Sequence, residues 1–102
     1  MLELRPNCEL CDKDLPPEST DACICTYECT FCKDCVDTVL KDVCPNCGGG
    51  FVPRPIRPKT ERRDGVSLSH QPPSTKRVHS PHSKAEIEDF VSQVHSIPAE
   101  KR

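Results

Sequence analysis

Apolar residues fall into helical register in two stretches of this 102-residue chain. In the first, Val36, Val39, Leu40 and Val43 recur at i, i+3, i+4 and i+7, one face of a short helix. Asp34 and Asp37 near its start and Lys41 near its end suit the helix dipole. In the second, Ile87, Phe90, Val91, Val94 and Ile97 share a face, and Ser83 followed by Glu86 forms a capping box ahead of them. Pro98 ends that pattern, so a helix is expected over 84–96. Upstream, "ACICTYECTF" alternates in the way a hairpin near 22–31 requires. Residues 53–82 have no periodicity and hold six of the eleven prolines, which reads as an extended, disordered linker. The expected organisation is a module over 1–52, a linker over 53–82, an amphipathic helix over 83–97 and a tail over 98–102.

Composition shows what such a chain lacks. Hydrophobic residues are 34% of it, with three Phe, one Tyr and no Trp. A module this small and poor in aromatics buries little apolar area, so another kind of bond must hold it. Nine cysteines, all within residues 8–47, are the candidates. The N-terminal "MLELRPNCEL" has no basic stretch leading into an apolar run, and no segment approaches the length of a membrane span. The expectation is a cytoplasmic chain with reduced thiols. An odd count and C-x-x-C spacing then favour a metal over disulfides.

Structural zinc takes four tetrahedral ligands, mostly thiolate or imidazole, and a C-x-x-C turn aims two sulfurs at one ion. "CELC" (Cys8, Cys11) and "CPNCGG" (Cys44, Cys47) are two such knuckles, the second with Gly48 and Gly49 available for a left-handed backbone. Cys32 and Cys35 fall at the first turn of the helix that begins near 36. Knuckle, hairpin and helix with ligands in its first turn make a treble clef, a small zinc-stabilised α+β fold in which knuckle and helix share an ion. Site one is therefore assigned to Cys8, Cys11, Cys32 and Cys35, and site two to Cys25, Cys29, Cys44 and Cys47. Two Zn²⁺ per chain are expected, in interleaved four-cysteine sites. Nested and sequential groupings of the same pairs, and a single-metal ribbon with spare thiols, are the alternatives, as is Cys23 in place of Cys25. Cys23 is otherwise a spare thiol.

The order C-x2-C, C-x3-C-x2-C-x2-C, C-x2-C from Cys8 to Cys47 resembles the RING finger cross-brace, with Pro45 and Leu10 also in place. It departs at Cys29, where RINGs usually have His, and at Gly48, where ubiquitin-ligase RINGs often have a basic residue. Residues 1–55 resemble more closely the bacterial domain-of-unknown-function family 1272, through "LELRPNCELCDKDLPP", "ECTFCKDC" and "VCPNCGG". That resemblance implies a short cysteine-rich protein of no established activity, a bacterial setting, and Cys23 as the extra thiol.

Charge separates along the chain. Residues 1–52 carry four basic and ten acidic side chains, while 53–82 carry seven basic and two acidic. An acidic metal module with a basic tether is predicted. The tether raises a nucleic-acid-binding alternative through Arg54, Arg57, Lys59, Arg62, Arg63, Lys76 and Arg77. A rubredoxin-like redox or metal-handling role is a second alternative, weakened because Asp12 follows Cys11 where rubredoxin knuckles normally have Gly. The sequence presents no catalytic constellation, and His70, His79 and His82 read as surface side chains. The leading expectation is a non-enzymatic zinc-binding interaction module. Its partner would be a protein, met through helix 84–96 or by self-association, and no membrane contact is expected.

Overall fold

A computed structural model describes residues 1–102. The architecture is a small α+β arrangement. β1 (Ala22–Ile24) and β2 (Thr30–Cys32) form the expected hairpin, with Ala22 opposite Cys32 and Ile24 opposite Thr30. A third strand, β3 (Val52–Pro53), pairs antiparallel on the other side of β1, giving the order β2-β1-β3. Pro53 lacks an N–H and is tolerated because β3 is an edge strand.

α1 (Lys33–Cys35) starts directly from β2 and continues as a π-wound turn over Val36–Leu40. The chain leaves it through left-handed Lys41 and Asp42, with φ of 48° and 63°. Lys41 is thus the residue that ends the helix rather than a cation in its last turn. The wide turn presents Val36 and Leu40 to the core, where Val43 joins them. Leu4, Leu15 and Phe31 fill the remainder, and Phe31 meets Phe51 edge to face at 5.4 Å between centroids.

α2 (Lys84–Val94) forms where the apolar register placed it and stops two residues earlier than expected. Both halves of the capping box are made: Ser83 Oγ accepts from Glu86 N–H, and Glu86 Oε1 accepts from Ser83 N–H. Ile87 and Val91 are buried on the module, close to the π turn. Arg102, beyond a 3₁₀ turn at Ala99–Lys101, donates to the carbonyl of Asp42 at 2.7 Å and anchors the end of the chain.

The reading of residues 53–82 as a disordered linker differs from the arrangement found. The stretch is extended, but it forms a strap along the N-terminal arm. Arg54 is 4% exposed and donates to the carbonyls of Arg5, Leu15 and Pro16. Arg57 donates to those of Leu2 and Gln71. Further on, Ser74 N–H bonds Leu4 O, Val78 N–H bonds the Asn7 side chain, and Ser80 N–H bonds Glu9 O. These bonds join residues far apart in sequence (Arg54 to Leu15, Val78 to Asn7), so they leave no local period to read.

Candidate metal centre

Two hydrogen-bonded turns of matching design present the knuckle cysteines. In the first, Asp12 N–H bonds Cys8 O at 2.9 Å; in the second, Gly48 N–H bonds Cys44 O at 2.8 Å. The residue after each second cysteine is left-handed, Asp12 at φ 67° and Gly48 at φ 79°. Gly49, expected to share that role, does not have a positive φ.

The first knuckle is carried to the helix start by a latch on β2. Glu9 N–H bonds Thr30 O, and the buried Glu9 carboxylate accepts from Thr30 N–H and from Arg5 Nη1. Thr30 lies two residues before Cys32, so the latch brings Cys8 and Cys11 to Cys32 and Cys35. The four sulfurs lie within 4.8 Å of one another. Cys11 Sγ and Cys32 Sγ are 3.7 Å apart. Four sulfurs at tetrahedral Zn–S distances of about 2.3 Å would be about 3.8 Å apart, so the spacing suits zinc. It far exceeds a disulfide bond, and all nine cysteines are free.

The second group forms at the other side of the hairpin. Cys25, Cys44 and Cys47 lie within 4.8 Å of one another. The N–H groups of Tyr27 and Gly49 point at the sulfurs of Cys25 and Cys47, at 3.3 and 3.4 Å. Cys29, assigned to this site from the sequence, falls outside the mutual set. It sits on the same turn, where Cys25 N–H bonds its carbonyl, and its sulfur accepts from Asn46 Nδ2 at 3.4 Å. Cys23 belongs to neither group; it is a buried β1 residue beside Phe31.

Crowding the sulfurs has an electrostatic consequence. Burial, reinforced by neighbouring Cys32 and Cys8, pushes the Cys35 thiol far above its ordinary value. Burial likewise raises Cys44, with Cys29 and Cys25 adding to it against backbone N–H bonds. Burial also works to raise Cys11, but the Lys13 backbone and the adjacent thiols outweigh it and lower that group. A divalent cation bound there would stabilise all the thiolates together, which is the chemistry such a donor set offers. The donor sets are sulfur alone: His79 pairs with Asp12, and His70 lies near Ser67 and Glu61.

Sequence reasoning missed Glu9 and Asn7. Both are polar and buried beside Cys8, in a stretch where only the cysteines signal a ligand. Asn7 spans knuckle and strap, donating to the carbonyls of Cys8 and Val78 and to the Asp12 carboxylate. Three of the seven basic strap residues, Arg54, Arg57 and Arg77, are engaged within the chain. Arg77 binds Asp12 and Asp14. No helix is long and apolar enough to cross a membrane.

Fold and sulfur clusters together define a small cysteine-rich α+β protein with two groups able to hold metal ions. The chain belongs to the family described as "Protein of unknown function (DUF1272)", whose model matches residues 1–57. It is 57% identical over 81 residues to an uncharacterized protein of Rhizobium meliloti (strain 1021), covering 79% of this chain and 89% of that one. An 81-residue match within 102 residues must reach past residue 57, so the likeness extends into the strap. No solved structure matches the chain.

Proposed function

We propose that this protein is a zinc-stabilised, non-enzymatic interaction module with a RING-like cross-brace treble clef. The observation that carries the reading is the interleaving of the sulfur groups. Cysteine pairs one and three meet in one place, and cysteines from pairs two and four meet in another. Each ion would pin together segments distant in sequence, and zinc would supply folding energy on the order of 10–16 kcal/mol per site. A four-thiolate shell leaves no coordination position for substrate, which supports a structural role.

Ile87 and Val91 of α2 are buried on the module, which favours a partner surface away from that helix. The best candidate is the groove of about 640 Å³ bordered by Met1, Leu2, Ile24 and Val52, with Met1 and Val52 largely exposed. A protein with apolar anchor side chains is the partner that chemistry fits.

Metal analysis of purified protein, followed by circular dichroism in excess chelator, tests the reading. Two zinc ions per chain and loss of structure on chelation are expected. Fewer than two metals, or a fold that survives chelation, would sink it. An iron–thiolate absorption spectrum would turn the assignment to the rubredoxin-like alternative.

A further inference from the structure

The two sulfur groups are unequal, and the inequality has a chemical use. We propose that the second group is a metal-exchange site, in which Cys25, Cys44 and Cys47 hold the ion and Cys29 is a displaceable fourth ligand that an incoming small-molecule thiolate replaces. This rests on the two-zinc reading above and adds to it that one ion is mobile.

Three observations converge on Cys29. Its sulfur stands outside the set of mutually close sulfurs, whereas all four members of the first group are inside theirs. That sulfur is held by a side-chain amide, Asn46 Nδ2, whereas the sulfurs of Cys25 and Cys47 accept from backbone N–H groups of their own turns. Finally, Cys29 and Cys47 line an open cavity of about 440 Å³ together with Tyr27 and Asn46, and Cys47 is exposed. An incoming sulfur can therefore approach the group beside Cys29.

The first group is braced where the second is open. Its exposed member, Cys11, keeps its sulfur 3.7 Å from that of Cys32. The next residue, Asp12, is tied to Asn7, Arg77 and His79. Exchange at the second group conserves charge and protons. The incoming thiol releases its proton to solvent as its sulfur bonds the metal, and Cys29 takes up a proton as its sulfur leaves. No electron transfer is involved.

The test uses the full chain loaded with zinc and an excess of a chromogenic chelator. Release should follow two phases of equal amplitude, the faster by about tenfold or more, and reduced glutathione should accelerate only the fast phase. Cys29→Ser should retain two zinc ions with a quicker fast phase, while Cys44→Ser should bind one. Asn46→Ala, which leaves every sulfur in place, should slow the fast phase. Fewer than two zinc ions in the wild type would overturn the two-site reading and this proposal with it. Two tightly bound ions released in a single phase would overturn the exchange site alone. So would a Cys29→Ser variant that loses an ion as Cys44→Ser does while Asn46→Ala changes nothing.

Discussion

Asp12 and Gly48 hold the same left-handed position after their knuckles, but for different reasons. At Gly48 an added Cβ would find Phe90 Cζ at 3.4 Å, an ordinary contact. Gly48→Ala should therefore cost only the torsional term, about 1–2 kcal/mol, in denaturant unfolding of the zinc-loaded protein. At Asp12 the carboxylate offsets its backbone by accepting from Arg77 and His79, which hold it below its ordinary ionisation range. Asp12→Gly should relax the turn and free the strap. Two zinc ions should remain bound while amide exchange over 76–80 quickens; unchanged exchange there would refute the clamp. Arg54 is a polar residue whose removal should be costly. Its buried guanidinium serves three carbonyls. Arg54→Ala should lose about 3 kcal/mol or more in the same unfolding measurement, since charged hydrogen bonds contribute roughly 1.5–3 kcal/mol each and buried carbonyls are left unpaired. Arg54→Lys should recover only part, because an ammonium cannot reproduce the fork.

At the scale of elements, α2 shows what local sequence can specify. Its cap and its apolar face are local, and each was legible; its end was not, because the helix stops at Val94, ahead of Pro98. Ser83→Ala removes one half of the capping box and should cost about 1 kcal/mol, seen as roughly fivefold faster amide exchange across 84–94. Ile87→Ala, at a fully buried position, should cost about 2–4 kcal/mol and loosen the helix from the module. The hairpin and the C-x-x-C knuckles were legible for the same reason: alternation and that spacing are short-range. β3 was not, being two residues long with a proline, and formed only because β1 offers it an edge. The strap escaped notice because its bonds run from side chains to distant carbonyls. Its arginines looked like free charge until their partners were visible. The position of Cys29 was also beyond reach, since spacing assigns it to a pair but says nothing of the Asn46 amide beside it.

Across the whole molecule, the candidate ligands come from one stretch of the chain, while the core also draws on a second. Every candidate ligand lies within residues 8–47, inside the stretch that the family model matches. The buried side chains are divided otherwise. Seven of the seventeen buried apolar residues are cysteines, so a few carbon side chains do the remaining packing. Two of these, Ile87 and Val91, come from α2, and their loss would uncover the Val36–Leu40 turn that the helix packs against. The strap adds a second dependence, because residues 74–80 satisfy the carbonyls of Leu4 and Glu9 and the side chain of Asn7. Metal binding and packing should therefore separate on truncation. A chain ending at residue 57 should still take up two zinc ions, as metal analysis would report. Its melting temperature should fall well below that of the full chain, and it should bind a hydrophobic dye and self-associate in light scattering. Burying two aliphatic side chains is worth about 1.5–3 kcal/mol each, which is a large share of the stability of a domain this size. A truncated chain that melts with the full-length protein and stays monomeric would mean that helix and strap merely rest on a self-sufficient module.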